Sequence, residues 1–190
     1  MRLNKKDLRK KQLAILNEFA LTGEKKKEDQ KLLNKLINSK LLENAQTIGI
    51  TSSLNQEVDT SKIIAHLWDL GKEVYLARTE PNRVMHFVYY TYRSKLTKNK
   101  MGIEEITDQN AEVKDDLDLL LVPGLAFALD SHQRLGFGGG FYDRFLEKHA
   151  EIKTVSLVNS KMMYETAIWP LDQTDIPVET LVTTDKIITN

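Results

Sequence analysis

The chain contains no cysteine, which excludes disulfides, thiolate metal sites and a cysteine nucleophile and suits a reducing compartment. A cytoplasmic protein is therefore expected. No apolar run is long enough to span a bilayer, and the basic start, Met1 to Lys11, is not followed by the apolar stretch of a secretory signal. Prolines number four in 190 residues, and no internal repeat, low-complexity tract or linker interrupts the chain, so one domain spanning 1–190 is expected. Charge of one sign is also missing: 27 Lys and Arg balance 27 Asp and Glu. What remains, 41% hydrophobic and 28% charged residues, is the composition of a globular protein able to bury a core.

The balanced charge is unevenly placed. Residues 1–40 carry 12 basic against 5 acidic side chains, leaving 15 against 22 for the rest. A basic amphipathic start could bind nucleic acid or a membrane surface, but it lacks interleaved aromatics, and neither partner is expected. A solvated helix face is one alternative. Basic side chains reaching back over a polyphosphate are another.

Four glycines in five positions stand out in Arg134-Leu-Gly-Phe-Gly-Gly-Gly-Phe-Tyr-Asp-Arg144. Glycine lets the main chain approach a ligand, and successive N–H groups in such a turn form an anion-binding concavity, strengthened where a helix begins. Phe141, Phe145 and Leu146, with charges between them, predict that helix. The spacing is not a dinucleotide fingerprint, since Phe141 stands where a sixth-position glycine is needed, and no Gly-Lys-Ser/Thr closes a Walker loop. A ligand-free surface turn is the alternative. Arg134 before the turn and Asp143 and Arg144 after it add phosphate-pairing and metal-binding groups.

Apolar periodicity predicts two helices before residue 42, carrying Leu8, Ile15 and Phe19 and then Leu32, Leu36 and Leu41. A strand follows at Ile48–Ile50, a helix capped by Asp59 or Thr60 that stops at Gly71, and a strand at Glu73–Ala77. Alternation from Met85 to Tyr90 predicts a strand, and the polar segment Thr91 to Lys114 a mobile loop. Leu119–Val122 reads as a buried strand. After the glycine turn come a strand at Thr154–Val158, a short helix around Met162–Ala167 and a last strand at Thr180–Thr184. Alternating strands and helices predict a three-layer α/β/α domain, a mostly parallel sheet with helices on both faces. Ligands are expected beyond the carboxyl ends of its strands. His66, His86, His132 and His149 show no ligand-like pairing and read as packing or surface residues.

With these segments in place, the chain resembles the 5-formyltetrahydrofolate cyclo-ligase family. The resemblance rests on Lys5-Lys6-Asp7-Leu8-Arg9, Leu54-Asn-Gln-Glu-Val-Asp59-Thr60, Val122-Pro-Gly-Leu-Ala-Phe127, Arg134 through Asp143, and Asp175-Ile-Pro-Val178. It implies a Rossmann-like fold of the sugar-phosphate isomerase or CoA-transferase-like kind. It further implies an ATP- and Mg2+-dependent cyclisation of 5-formyltetrahydrofolate to 5,10-methenyltetrahydrofolate, with ADP and phosphate released from a phosphorylated formyl intermediate, by a monomer.

Carried over residue by residue, the resemblance assigns catalytic roles to Arg9, Arg134 and Asp143. ATP would be bound by Lys5, Lys6, Arg9, Arg134, Leu135, Gly136, Phe137, Gly138, Gly139, Gly140, Phe141 and Tyr142. The folate would contact Arg9, Leu54, Asp59, Phe137, Gly138, Gly139, Gly140 and Phe141, with Asp59 standing where the family commonly has glutamate. Asp143 and Asp175 would hold magnesium. Two other functions use the same residues: a non-catalytic folate- or nucleotide-binding regulator, and a sugar-phosphate isomerase-like enzyme in which Asp143 is an acid or base.

Overall fold

A computed structural model describes residues 4–190. Helix α1, Lys5–Ala20, starts where the Asn4 side chain accepts from the Asp7 N–H at 2.9 Å, an N-cap that satisfies one of the free amides of the first turn. Leu8, Gln12, Leu16 and Phe19 form its buried stripe. The neighbouring stripe, Lys5, Arg9 and Leu13, faces a cleft instead. Gln12 pins the helix in place: it donates to the Lys161 carbonyl at 2.5 Å and accepts from the Tyr164 hydroxyl at 2.9 Å. Helix α2, Gly23–Ile37, is capped by Thr22 and ends earlier than its leucine spacing predicts, with a separate 3-10 turn at Lys40–Leu42.

The chain continues through β1 (Thr47–Ile50), α3 (Ser61–Asp69), β2 (Glu73–Glu80), β3 (Val84–Tyr89), β4 (Leu96–Lys98), β5 (Glu104–Ile106) and β6 (Leu119–Leu121). Then follow β7 (Ala126–Ala128), β8 (Arg134–Leu135), α4 (Phe141–Lys148), β9 (Lys153–Val158), β10 (Met163–Tyr164), β11 (Thr180–Thr183) and β12 (Ile187–Thr189). Among the described residues the main sheet has seven strands, ordered β12-β11-β9-β6-β1-β2-β3. The inner pairings are parallel, and only the edge pairs β11–β12 and β2–β3 are antiparallel. The parallel strands β1, β6 and β11 are buried along their whole length, as strands covered on both faces must be.

Side-chain alternation on β3 fixes which helix covers which face. Phe87 packs edge-on against Phe145 of α4 at 5.0 Å between ring centroids. Tyr90, three residues on and hence on the opposite face, packs against Trp68 of α3 at 5.0 Å. The chain is thus a mixed α/β fold built on a large, mostly parallel sheet.

Three further sequence expectations change. The Met162–Ala167 segment is not helical: Met163 and Tyr164 pair with Phe127 and Ala128, giving a small sheet β10-β7-β8. The Thr91–Lys114 segment is not an unstructured loop, because β4 and β5 form a hairpin whose Glu105 is buried. Its return also covers the outer edge of β3, with the Tyr89 N–H donating to the Glu112 carbonyl at 2.8 Å and the Lys114 N–H to the Phe87 carbonyl at 2.9 Å. Finally, β12 follows the strand expected to be last.

Candidate active site

A cleft of about 530 Å³ opens at the carboxyl ends of β1, β2 and β6, the side expected for a ligand. Thr51, Leu54 and Glu57 follow β1 into it, Thr79 stands near the end of β2, and Pro123 follows β6. The opposite wall is the glycine turn, Gly136–Gly140, closed by Phe141, Tyr142 and Asp143 of α4. Lys5 and Arg9 reach it from α1, and Asp172 and Asp175 from the segment before β11.

Local geometry explains why glycine is needed here. Gly138 has φ +98°, a backbone that side chains rarely adopt, and a Cβ there would lie 3.3 Å from Arg9 Cζ. Upstream, a Cβ at Gly124 would lie 2.6 Å from the Phe127 ring and 3.0 Å from Arg134 Cγ, so this glycine lets the buried arginine pass under the strand end.

The cations and carboxylates of the cleft are arranged as pairs. Lys5 Nζ meets Asp175 Oδ2 at 2.5 Å and Asp172 Oδ2 at 2.6 Å. Burial alone would lower its ammonium pKa, but these carboxylates outweigh burial and raise it. Arg134 Nη2 donates to Asp143 Oδ1 at 2.9 Å and Nη1 to the Pro123 carbonyl at 3.2 Å, while its buried Nε has no partner among the described residues. Arg9 Nε donates to the Gly136 carbonyl at 2.8 Å, tying α1 to the glycine turn.

Sequence-assigned residues converge here with two exceptions. Lys5, Arg9, Leu54, Arg134, Leu135, Gly136, Phe137, Gly138, Gly139, Gly140, Phe141, Tyr142, Asp143 and Asp175 all border the cleft. Lys6 does not; it follows Lys5 by one residue, about 100° around the helix, and is exposed to solvent. Asp59 does not either. Its Oδ1 accepts from the Ser61 N–H at 2.9 Å and the Ser61 hydroxyl at 2.6 Å, which makes it a helix-start residue of α3.

The acid that enters the cleft is Glu57, two residues earlier and 8% exposed. Its Oε2 accepts from the Leu54 N–H at 2.6 Å, folding the loop so that the carboxylate faces inward. Burial pushes this carboxyl up, and the Leu54 N–H and the charge of Lys25 only partly offset it. A loop acid has no helical or strand period to show which way it points, so sequence alone did not single it out. Glu105 was missed for a different reason. It reaches the cleft from the β4–β5 hairpin, its Oε1 accepting from the Thr79 N–H at 3.1 Å and hydroxyl at 2.8 Å. Tyr142 adds a buried hydroxyl close to Thr51, and burial drives its pKa far up, so it stays a donor.

Among the described residues no three His, Asp or Glu side chains cluster as a metal cage. Asp143 Oδ1 accepts from the Ile176 N–H at 3.4 Å, which ties it to the backbone beside Asp175, whose own carboxylate is held by Lys5 at 2.5 and 2.8 Å. Both hydrogen bonds of Asp143 go to Oδ1, and its Oδ2 takes part in neither. One or two carboxylates, with water and phosphate oxygens completing the shell, is the donor set magnesium accepts.

Comparison with known proteins bears on the same residues. Residues 2–184 match the model of the 5-formyltetrahydrofolate cyclo-ligase family. The 5-formyltetrahydrofolate cyclo-ligase of Escherichia coli K12 is 32% identical over 178 residues, 88% of this chain and 94% of that protein. The NMR structure of Aquifex aeolicus 5,10-methenyltetrahydrofolate synthetase superimposes with a TM-score of 0.79 at 27% identity, covering 97% of this chain and 92% of that one. The synthetase structure from Mycoplasma pneumoniae, at 21% identity and a TM-score of 0.70, covers 95% and 98% and shares the fold. With the glycine turn, its basic partners and every strand of the main sheet but β12 inside the matched region, the chain belongs to the 5-formyltetrahydrofolate cyclo-ligase family.

Proposed function

We propose that this enzyme cyclises 5-formyltetrahydrofolate to 5,10-methenyltetrahydrofolate at the expense of ATP in the cleft between the glycine turn and the β1 loop. The observation that carries the reading is the joining, in one cavity, of phosphate-binding backbone and cations with a buried carboxylate on the opposite wall. The reaction needs both. An N-formyl oxygen is a poor leaving group until phosphorylated, so the site must hold the γ-phosphate in line with that oxygen and neutralise developing charge.

The glycine-turn amides, Lys5, Arg9 and Arg134 would bind the triphosphate. Arg134 is suited to this because Pro123 and Asp143 fix its guanidinium at the wall of the cleft. The formyl oxygen attacks the γ-phosphorus, the bond to the β-phosphate oxygen breaks, and ADP leaves. N10 then adds to the activated carbon and loses its proton, and expulsion of phosphate leaves the methenyl cation. Glu57 would accept hydrogen bonds from the donor edge of the pterin. The Tyr142 hydroxyl would donate to a folate or phosphate oxygen. Asp143 and Asp175 would hold magnesium, which would screen the phosphate charge. No side-chain nucleophile is required.

We further read residues 1–190 as a single cytoplasmic domain acting as a monomer, of the sugar-phosphate isomerase or CoA-transferase-like kind; one continuous apolar core linking the elements supports the single domain. The mechanism is tested with substrate labelled by 18O in the formyl group. Label recovered in the released phosphate supports the phosphorylated formyl intermediate, and label recovered in water would overturn it.

A further inference from the structure

Lys5 spends its whole donor capacity on the segment before β11. An ammonium has three N–H groups and no acceptor. Three contacts match them: Asp172 Oδ2 at 2.6 Å, Asp175 Oδ1 at 2.8 Å and Asp175 Oδ2 at 2.5 Å. The segment is folded to present these oxygens, since the Asp172 N–H donates to Asp175 Oδ2 at 2.8 Å and the Asp175 N–H to the Asp172 carbonyl at 3.0 Å. Both oxygens of Asp175 are therefore taken by protein donors. The side chains of Lys5 and Asp175 are 14% and 15% exposed, so water screens their pairing little, whereas Asp172 lies out in solvent.

This pairing is incompatible with the ligand roles of the two residues taken one at a time. A phosphate oxygen bound by Lys5 removes a donor from the carboxylates. A magnesium ion on Asp175 needs an oxygen at about 2.0–2.1 Å, an approach blocked while the ammonium sits on both oxygens. Metal alone would leave Lys5 beside a second cation. Phosphate alone would draw Lys5 away and leave two carboxylates facing an anion. Arriving together, the two conserve the pairing of charge: the ammonium passes from carboxylate to phosphate as the carboxylate passes from ammonium to metal.

Resting on the reading of Lys5 as a phosphate ligand and Asp175 as a metal ligand, we propose that the Lys5 pair with Asp172 and Asp175 is an exchange contact that admits metal and nucleotide together and opposes each alone. Free divalent metal then binds weakly. Metal and nucleotide raise each other's affinity by the same factor, as linkage requires.

The test uses Mn2+, whose paramagnetic resonance signal reports the free ion. Binding of Mn2+ alone, and of Mn2+ with β,γ-imido-ATP, is measured in the wild type, Lys5→Met, Lys5→Gln, Lys5→Arg and Asp175→Asn, with thermal melting of each protein alongside. Lys5→Met and Lys5→Gln are expected to bind Mn2+ alone roughly tenfold more tightly than the wild type, and the Mn2+ complex of the nucleotide roughly tenfold more weakly, the size of a typical coupling between sites. Lys5→Arg keeps the charge and should bind Mn2+ alone as the wild type does. Opposite shifts for metal alone and for the complex are the signature of exchange, which a merely destabilised loop would not produce. Equal Mn2+ affinity in the wild type and the charge-removing variants, with Asp175→Asn still weakening the nucleotide complex, would overturn the exchange and leave the metal assignment standing. Tighter metal with an unweakened nucleotide complex would overturn it as well, because Lys5 would then not pass to phosphate. Wild-type binding by Asp175→Asn under both conditions would overturn the metal assignment, and the exchange with it.

Discussion

Removing the Asp143 carboxylate should damage the fold as well as the chemistry, and the two effects can be separated. Arg134 is 4% exposed at its side chain and Asp143 25%, so Asp143→Ala leaves a buried guanidinium with only the Pro123 carbonyl as its neutral partner. Breaking a fully buried pair costs about 3–5 kcal/mol. The partial exposure of Asp143 and the surviving hydrogen bond reduce this to roughly 2–3 kcal/mol. In a chain of this size each kcal/mol moves the melting temperature by about 2–4 °C, so a fall of about 5–10 °C is expected. Adding Arg134→Met should restore most of it, since an apolar side chain of similar length has no charge to strand. Activity should be lost in both the single and the double variant. Thermal and urea unfolding of the three proteins, beside their turnover, make the assay. A single variant melting within a degree of the wild type, or a double variant no better than the single, would refute the pairing argument.

Other outcomes follow from single contacts. Gly138→Ala should cost about 1–3 kcal/mol in urea unfolding through its left-handed backbone, and raise KM for ATP by displacing Arg9; unchanged ATP affinity would remove the turn from the nucleotide site. Arg9→Ala should raise KM for ATP by about tenfold with little change in unfolding midpoint, while an unaltered ATP dependence would make Arg9 a structural tie between α1 and the turn. Glu57 gives a pH dependence: burial raises its folded pKa, so its contribution to stability is full below the unfolded value of about 4.3 and is lost as pH rises through the folded pKa. Glu57→Gln should therefore melt higher than the wild type near pH 7, with the advantage gone below about pH 4, and should bind the formyl folate more weakly. Equal melting curves across that range would mean that the carboxylate is not desolvated.

The parts of this site legible in the sequence were those with a local signature. Four glycines in five positions, an arginine on one side and an aspartate on the other, mark the glycine wall of the cleft without any long-range information. The helical spacing of Lys5, Arg9 and Leu13 likewise gives one face, although only the structure shows that this face meets the cleft. Glu57 and Asp59 illustrate the limit. Both are loop acids two positions apart, and what separates them is a single backbone contact each, Leu54 N–H for one and Ser61 N–H for the other. The small sheet β10-β7-β8 was hidden because strands of two or three residues are too short to display a period, and their pairing joins residues far apart in the chain. The left-handed turn at Asn82 and Arg83, which borders the cleft, was equally hidden, since nothing in Pro81-Asn82-Arg83 announces such a backbone.

The central claim, that this cleft couples ATP to closure of the folate ring, is tested most directly by following the near-ultraviolet absorbance of the methenyl product from 5-formyltetrahydrofolate. The reaction is run with ATP and magnesium, without each, and with Asp143→Ala/Arg134→Met, which removes both charges while keeping the fold. Turnover that needs ATP and magnesium and disappears in the double variant is the predicted result. Turnover persisting in that variant, or proceeding without ATP, would contradict the account.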